Sequence, residues 1–351
     1  MLNALARRCL ALSSRTGLSQ WVAKSQWRRS RLLVLCYHGI AINDEHQWSP
    51  WLYISTRTFE HRLRLLHRNG CTVLPLHEAV ERVARRDLPE RAVVLTFDDG
   101  YYNFLVRAYP ALRAFGYPAT VYLTTLRCEH NYPIVNLLLS YALWLHRTEK
   151  LAGAGLPGLE DTDYPLETTA QRERVFTLLK AEAKRSRFSR LEHDAMAAAV
   201  LERLGEDYEW FVRSRRLTLM KPDEVAALSA HGVDFQLHTH THTTPEDPAA
   251  FIEEVRKNRQ SIREMTGSDP RHFCYPSGVY RMSYLPVLEA EGVLSATTCD
   301  PGFARPASNR LLLNRFVDGE AVSSTEFEAW LSGTAACWSS LRAACRFAPS
   351  M

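Results

Sequence analysis

A parallel α/β fold is predicted for this chain of 351 residues. Three observations predict it. Short apolar runs alternate with segments of helical periodicity. Glycine, or Asn69-Gly70, closes several of those helices. Polar residues follow directly on the apolar runs, where parallel α/β folds place their active sites. With 46% hydrophobic and 23% charged residues, the chain suits one large globular domain, or one domain with an insertion.

The first run, 32–38, is Leu-Leu-Val-Leu-Cys-Tyr-His and reads as a buried strand with a polar tip. A loop continues through Pro50. Phe59, Leu63, Leu65 and Leu66 mark a helix over 57–69, closed by Gly70. Residues 72–74 are a short strand, and 77–86 a helix. The clearest strand is 92–97, Ala-Val-Val-Leu-Thr-Phe, which ends at Asp98-Asp99-Gly100. A helix over 103–115 stops at Gly116, and 119–124 is again a strand. Residues 127–216 break the rhythm. They read as a helical insertion with a Gly- and Pro-rich loop near 152–165. The insertion either caps a substrate groove or only packs. Its Trp144, Tyr208 and Trp210 either line that groove or bury within the block. The alternation then resumes. Helix 222–231 opens with Pro222 and closes at Gly232, and strand 233–237 delivers His238. Helix 248–266, strand 272–275, helix 283–291 and strand 295–298 follow. Leu311-Leu312-Leu313 is the last strand expected. That makes seven or eight strand–helix units with no solenoid period.

Net charge is +4, and much of the excess base lies in residues 1–31: Arg7, Arg8, Arg15, Lys24, Arg28, Arg29 and Arg31, with no acid. This basic N-terminal segment reads either as a weak membrane-surface contact or as a solvated, poorly ordered end. No nucleic-acid partner is expected. The apolar stretch at 9–12 is too short for a signal core, and no run suffices for a membrane span. The expectation is a cytoplasmic protein, or one on the cytoplasmic face of a membrane. The eight cysteines, at 9, 36, 71, 128, 274, 299, 337 and 345, form no CxxC pair. They read as mostly buried free thiols.

Chemistry gathers at two stretches. Asp98 and Asp99 stand together at a strand end. His238-Thr239-His240-Thr241-His242 offers imidazoles four apart. Two His and one Asp would hold a metal with an open position for water. The second Asp would be free to act as a base. Each stretch also has a plainer reading. Asp-Asp-Gly after a strand is often only a turn, and alternating His residues can be a polar strand face. His240 would point away from its neighbours in an extended segment. His38, at the tip of the first strand, is either a site residue or a satisfied core histidine.

Taken in order, Thr96-Phe97-Asp98-Asp99-Gly100, His238-Thr239-x-x-His242 and Arg271-x-x-x-x-Pro276 resemble the three motifs of the polysaccharide deacetylase family. This is the NodB-homology group, or carbohydrate esterase family 4. Tyr37-His38, Tyr117-Pro118-Ala119-Thr120 and Asp300-Pro301-Gly302-Phe303 agree with it. The likeness covers about 32–126 and 217–318. It implies a distorted (β/α)7 barrel spanning 32–320, with the helical insertion at about 127–216 and a C-terminal tail over 321–351. It implies a hydrolase that removes N-acetyl groups from acetamido sugars of a polysaccharide or glycoconjugate, with metal-bound water as nucleophile. Asp98 would be the general base, Asp99, His238 and His242 the metal ligands, and Arg271 the residue orienting the base. The metal would be divalent, zinc first, with cobalt, nickel or iron also compatible.

The sequence departs from the family pattern in three places. Cys274 stands where many members carry a second Arg of the third motif. No fourth-motif Asp/Trp pair is recognisable. Leu313-Asn314-Arg315 lacks the His that many members use as general acid. The proton donor is then either His38 or Asp98 returning its proton. Two rival functions stay open: a different C–N amide hydrolase on the same barrel, and an inactive glycan-binding homologue.

Overall fold

A computed structural model describes residues 16–130 and 132–336. Their backbone forms two compact units. The first comprises the described residues through Glu129 and those from Met220 onward; the second is 130–219.

The first unit opens with helices α1 (Leu18–Lys24) and α2 (Gln26–Arg29). Strands β1 (Leu33–Tyr37), β2 (Gly39–Ala41) and β3 (Tyr53–Ser55) follow, then helix α3 (Thr56–Arg68) and strand β4 (Thr72–Val73). Helix α4 (Leu76–Arg85) leads to β5 (Ala92–Asp99). A π-turn at Phe104–Ala108 runs into α5 (Tyr109–Phe115), and β6 (Thr120–Leu123) ends the first half.

The second unit holds α6 (Val135–Leu145), a hairpin of β7 (Lys150–Ala152) and β8 (Asp163–Pro165), α7 (Thr169–Arg185), α8 (Arg190–Arg203) and α9 (Tyr208–Ser214). Its helices bury Leu138, Leu139, Val175, Leu179, Val200 and Leu201. The loop expected near 152–165 is in fact bounded by the hairpin. Trp144 stacks on Tyr141, while Trp210 is half-exposed.

The first unit resumes with α10 (Pro222–Ala230), β9 (Asp234–Leu237), α11 (Pro248–Thr266), β10 (His272–Cys274), α12 (Tyr284–Ala290), β11 (Ser295–Thr297), β12 (Phe316–Val317) and α13 (Ser324–Ser332).

Eight strands of the first unit form one parallel sheet in the order β11-β10-β9-β6-β5-β1-β12, with β4 beside the start of β5, while β2 and β3 pair separately. This is the distorted seven-stranded barrel of the expected type. Its last stave is bent. Leu313 bridges to Thr297 of β11, and three residues later Phe316 and Val317 pair with Leu35 and Cys36 of β1. The last regular strand is therefore 316–317, not 311–313. One short segment has to serve both edges of the seam.

The period-two alternation of strands sorts the side chains. Leu33, Leu35 and Tyr37 of β1, with Val93, Leu95 and Phe97 of β5, share a cluster with the helices. Val34, Ala92, Val94, Tyr122 and Cys274 form a second cluster inside the barrel, with Leu76, Ala79 and Val83 of α4. Asp98 falls on the inner face of β5, two residues past Thr96. The fold thereby aims a carboxylate at the barrel axis.

In the described part of the basic N-terminal segment Lys24 and Arg29 are exposed, but Arg28 is not solvated. Arg28 is fully buried and donates to the carbonyls of Leu331 (3.0 Å), Arg31 (2.7 Å) and Ala92 (3.4 Å). Burial pulls its pKa down to about 10, still well above neutrality. Arg7, Arg8 and Arg15 lie outside the described residues. The described part of the expected tail, 321–336, also joins the fold, since Trp330 of α13 stacks on Phe316 at 4.7 Å. Arg28→Ala would leave three carbonyls without this donor, at roughly 1–3 kcal/mol for each one left unsatisfied. The expected result is a lowered melting temperature; an unchanged one would show that water replaces the guanidinium. Among the described residues, no helix is long and apolar enough to cross a membrane. Five cysteines are free thiols, with Cys36, Cys128 and Cys274 buried; Cys9, Cys337 and Cys345 lie outside the described residues.

Candidate active site

Neighbouring residues in a strand point to opposite faces. Asp98 and Asp99 nevertheless converge on one site, because Asp99 leaves the strand with φ +69°. Gly100 continues the turn at φ +87°, and a Cβ there would stand 2.3 Å from Leu123 Cδ1. Thr239 and His242 are also left-handed, at φ 62° and 60°. Such residues cost of order 1–3 kcal/mol each and persist where the surroundings enforce them. Here they gather at the two loops that carry the chemistry.

His238 follows β9 and is fixed at both ends. Its backbone N–H donates to Asn258 Oδ1 at 2.8 Å, and Nδ1 lies 2.8 Å from the Cys274 carbonyl. A carbonyl only accepts, so Nδ1 carries the proton and Nε2 is left with a lone pair. That Nε2 faces Asp99 Oδ1 at 3.3 Å, and His242 Nε2 faces the same oxygen at 3.1 Å. Oδ1 is buried without a hydrogen bond of acceptable geometry. A buried carboxylate oxygen beside a ring nitrogen lone pair calls for a cation. The residues present therefore fit a divalent metal: Asp99, His238 and His242 form a group whose ligand atoms lie within 4.8 Å of one another. The carbonyl behind His238 is the outer support that ligating imidazoles need. Burial works against the charge on Asp99, but its close contacts with the two imidazoles hold its pKa well below the carboxylate range. For His242, burial lowers the pKa, yet the contact with Asp99 outweighs it and the net shift is upward.

Asp98 is buried and clamped. Arg315 Nη1 donates to Oδ1 at 2.7 Å and Nη2 to Oδ2 at 2.8 Å. The Cys36 and Cys274 thiols each lie 3.5 Å from Oδ2. Burial pushes both thiols up in pKa, so they stay protonated and can donate. Burial pushes Asp98 up as well, but Arg315 overrides it and keeps the carboxyl ionised. His38 Nε2 stands 3.8 Å from Oδ2, with Nδ1 buried and unpartnered.

Arg271 is not at this site. Its side chain is largely exposed and pairs with Asp269 at 3.2 Å. The reason is register. Arg271 precedes β10, three residues before Cys274, and about 3.3 Å per residue puts it roughly 10 Å away, at the wrong end of the strand. Arg315 stands beside Asp98, in the place that the resemblance implied for Arg271. It was missed, although it follows an apolar run, Leu311-Leu312-Leu313, as His38 and Asp98 do. Arg271→Ala is expected to leave kcat within about twofold, since exposed pairs contribute little; a tenfold loss would return it to the site. His240 turns away and bonds Thr125 Oγ1 through Nδ1 at 2.8 Å.

Residues 85–146 and 191–295 match the family model described as polysaccharide deacetylase. A poly-beta-1,6-N-acetyl-D-glucosamine N-deacetylase of Escherichia coli (strain K12) is 35% identical over 101 residues, 28% of this chain and 14% of that protein. The YxkH protein of Bacillus subtilis (strain 168) is 30% identical over 115 residues, 32% of this chain and 38% of that one. The chain thus spans well under half the length of these relatives. The fold is similar to that of Streptococcus pyogenes deacetylase PplD, solved with acetate. Its TM-score is 0.54 at 17% identity, covering 84% of this chain and 96% of that one. IcaB from Ammonifex degensii gives 0.53 at 17% identity, covering 86% and 97%.

Proposed function

We propose that this chain, which matches the polysaccharide deacetylase family model, is a metal-dependent hydrolase removing N-acetyl groups from acetamido sugars of a glycan or glycoconjugate. One observation carries the reading. A buried, unpartnered Asp99 oxygen faces two imidazole nitrogens, beside a second carboxylate held ionised for other work.

Asp99, His238 and His242 would hold the ion, zinc first by donor set, with cobalt, nickel or iron also suited. When bound, such an ion acidifies water and polarises an acyl oxygen. Asp98 accepts the proton of the attacking water. Its Oδ2 is taken by Arg315 and two thiols, whereas Oδ1 takes Arg315 alone and keeps a free lone pair. The backbone N–H of Tyr101 is the donor proposed for the developing oxyanion. His38 is the donor proposed for the leaving amine, in place of the absent fifth-motif His. Its separation from Asp98 is too long for a hydrogen bond, so it can carry a proton without being tied to the base.

The substrate class is supported by the name of the Escherichia coli relative. Oligomers of N-acetylglucosamine, β-1,6-linked ones included, are the substrates to try first. Release of acetate with an equal yield of free amine supports the reading. Turnover of small amides but of no acetylated sugar would replace it with the other C–N hydrolase. Glycan binding without acetate release by metal-loaded protein would mark the inactive homologue.

A further inference from the structure

We propose that helix α1 is a docking face for an anionic lipid bilayer, with Leu18 and Trp21 entering the interface and the basic N-terminal segment supplying the charge.

Helix α1 lies on α13, and of its seven residues only Ala23 is buried. Leu18 and Trp21, three apart and so on one face, are 49% and 72% exposed. Lys24 continues that face and is exposed as well. Trp27 provides the contrast. Its ring packs on Phe303 at 5.8 Å, and the Arg31 guanidinium stacks over it at 4.2 Å. The fold absorbs one indole of this segment and leaves the other in water. Single exposed apolar residues are ordinary. An exposed Trp beside an exposed Leu and Lys is the composition of a helix that lies in a membrane interface.

Charge selects the partner. No Asp or Glu precedes Asp44, whereas Arg7, Arg8, Arg15, Lys24, Arg28, Arg29 and Arg31 all do. Arg29 pairs with Glu90 at 2.6 Å, but both side chains are largely exposed and such a pair contributes little. A basic stretch without acids is drawn to an anionic leaflet, by about fivefold in affinity for each cation near the surface. Neither the ring nor the charge anchors firmly alone; together they supply the two signals that stable attachment takes.

The fold leaves room for this contact. Arg28 donates to the carbonyl of Leu331, in the last turn of α13, and to that of Ala92, the first residue of β5. Asp98 lies at the other end of β5, roughly 20 Å away at about 3.3 Å per residue. The segment therefore joins the barrel at the end opposite the active site, and glycan and membrane need not compete.

The test is co-sedimentation of the full, metal-loaded chain with vesicles. One set is phosphatidylcholine alone, the other phosphatidylcholine and phosphatidylglycerol in equal parts. The chain is expected to pellet with the anionic vesicles and to bind at least about tenfold more weakly to the neutral ones, or at near-molar salt. Combined Leu18→Ser and Trp21→Ser should weaken binding to anionic vesicles at least about tenfold, since an indole alone can bury about 150–250 Å². Lys24→Gln should weaken it about fivefold. These surface variants should keep the melting temperature, and should release acetate from soluble N-acetylglucosamine oligomers within about twofold of wild type. Absence of sedimentation with anionic vesicles overturns the proposal. So does equal binding to both vesicle sets, which removes the charge. Affinity held within about twofold in the Leu18/Trp21 variant also overturns it, by moving the contact off α1. A dimer in solution that this variant disrupts, with no vesicle binding, would assign the face to a second copy instead. A wild type that binds anionic vesicles but releases no acetate would sink the substrate reading and leave the docking face intact.

Discussion

Asp98→Asn is expected to keep the metal and lose hydrolysis by about 10²–10⁴-fold, the usual contribution of a positioned base. An amide cannot take a proton from water. It also presents an NH₂ to a guanidinium that only donates, so one of the two bonds from Arg315 must fail. A buried arginine left half-paired destabilises the fold, and melting temperature must be read beside rate. The rate loss should far exceed what any shift in melting explains. A well-folded, metal-loaded variant within about tenfold of wild type would remove Asp98 from the role.

His242→Ala is expected to lower metal content and abolish turnover. It is the cleaner of the two imidazole substitutions, because the His242 side chain is 37% exposed against 2% for His238. The loss should therefore reflect ligation more than packing. Combined Asp99→Ala, His238→Ala and His242→Ala should bind no metal; full occupancy there would sink the assignment. Metal uptake should also depend on pH. Without metal, the contact with Asp99 raises the His242 pKa above its ordinary 6.5. A ligating imidazole must be neutral, so protons compete with metal. Loading should weaken as pH falls toward neutrality, earlier than for an unperturbed histidine. Loading that stays flat down to pH 5 would count against His242.

Much of this was legible in the sequence. Apolar runs that end in polar tips located β1, β5 and β9, and with them His38, Asp98, Asp99 and His238. The motif spacing added His242, and the structure brings Asp99, His238 and His242 together. What stayed hidden depended on partners far away in the chain. Nothing local says that Arg28 meets the carbonyls of Leu331 and Ala92 from distant segments, so its charge fits a membrane-surface contact or a solvated end. Nothing local says that Arg271 lies at the wrong end of β10, since a motif fixes spacing and not strand register. Arg315 carried the same signal as Asp98, an apolar run with a polar tip. The family pattern expects a histidine there, which gives an arginine at that place no role. The bent stave explains the misplaced last strand: 311–313 has the composition of a strand, but the seam allows it only a single bridge.

That seam also has a consequence for how the protein is made. Asp98 and Arg315 are 217 residues apart. A growing chain therefore contains both carboxylates and both imidazoles of the site before the residue that clamps the base exists. Closing so long a loop adds only modestly to the entropy cost, because that cost grows with the logarithm of length. It does make the contact late, as non-local pairings form slowly. Until Arg315 arrives, burying Asp98 means burying an unpaired charge, which is strongly unfavourable. Docking of β12 on β1 and burial of the carboxylate should then occur as one cooperative event. A nascent or C-terminally shortened chain would hold the ligand residues without a poised base, and hydrolytic competence would appear only as the last stave closes.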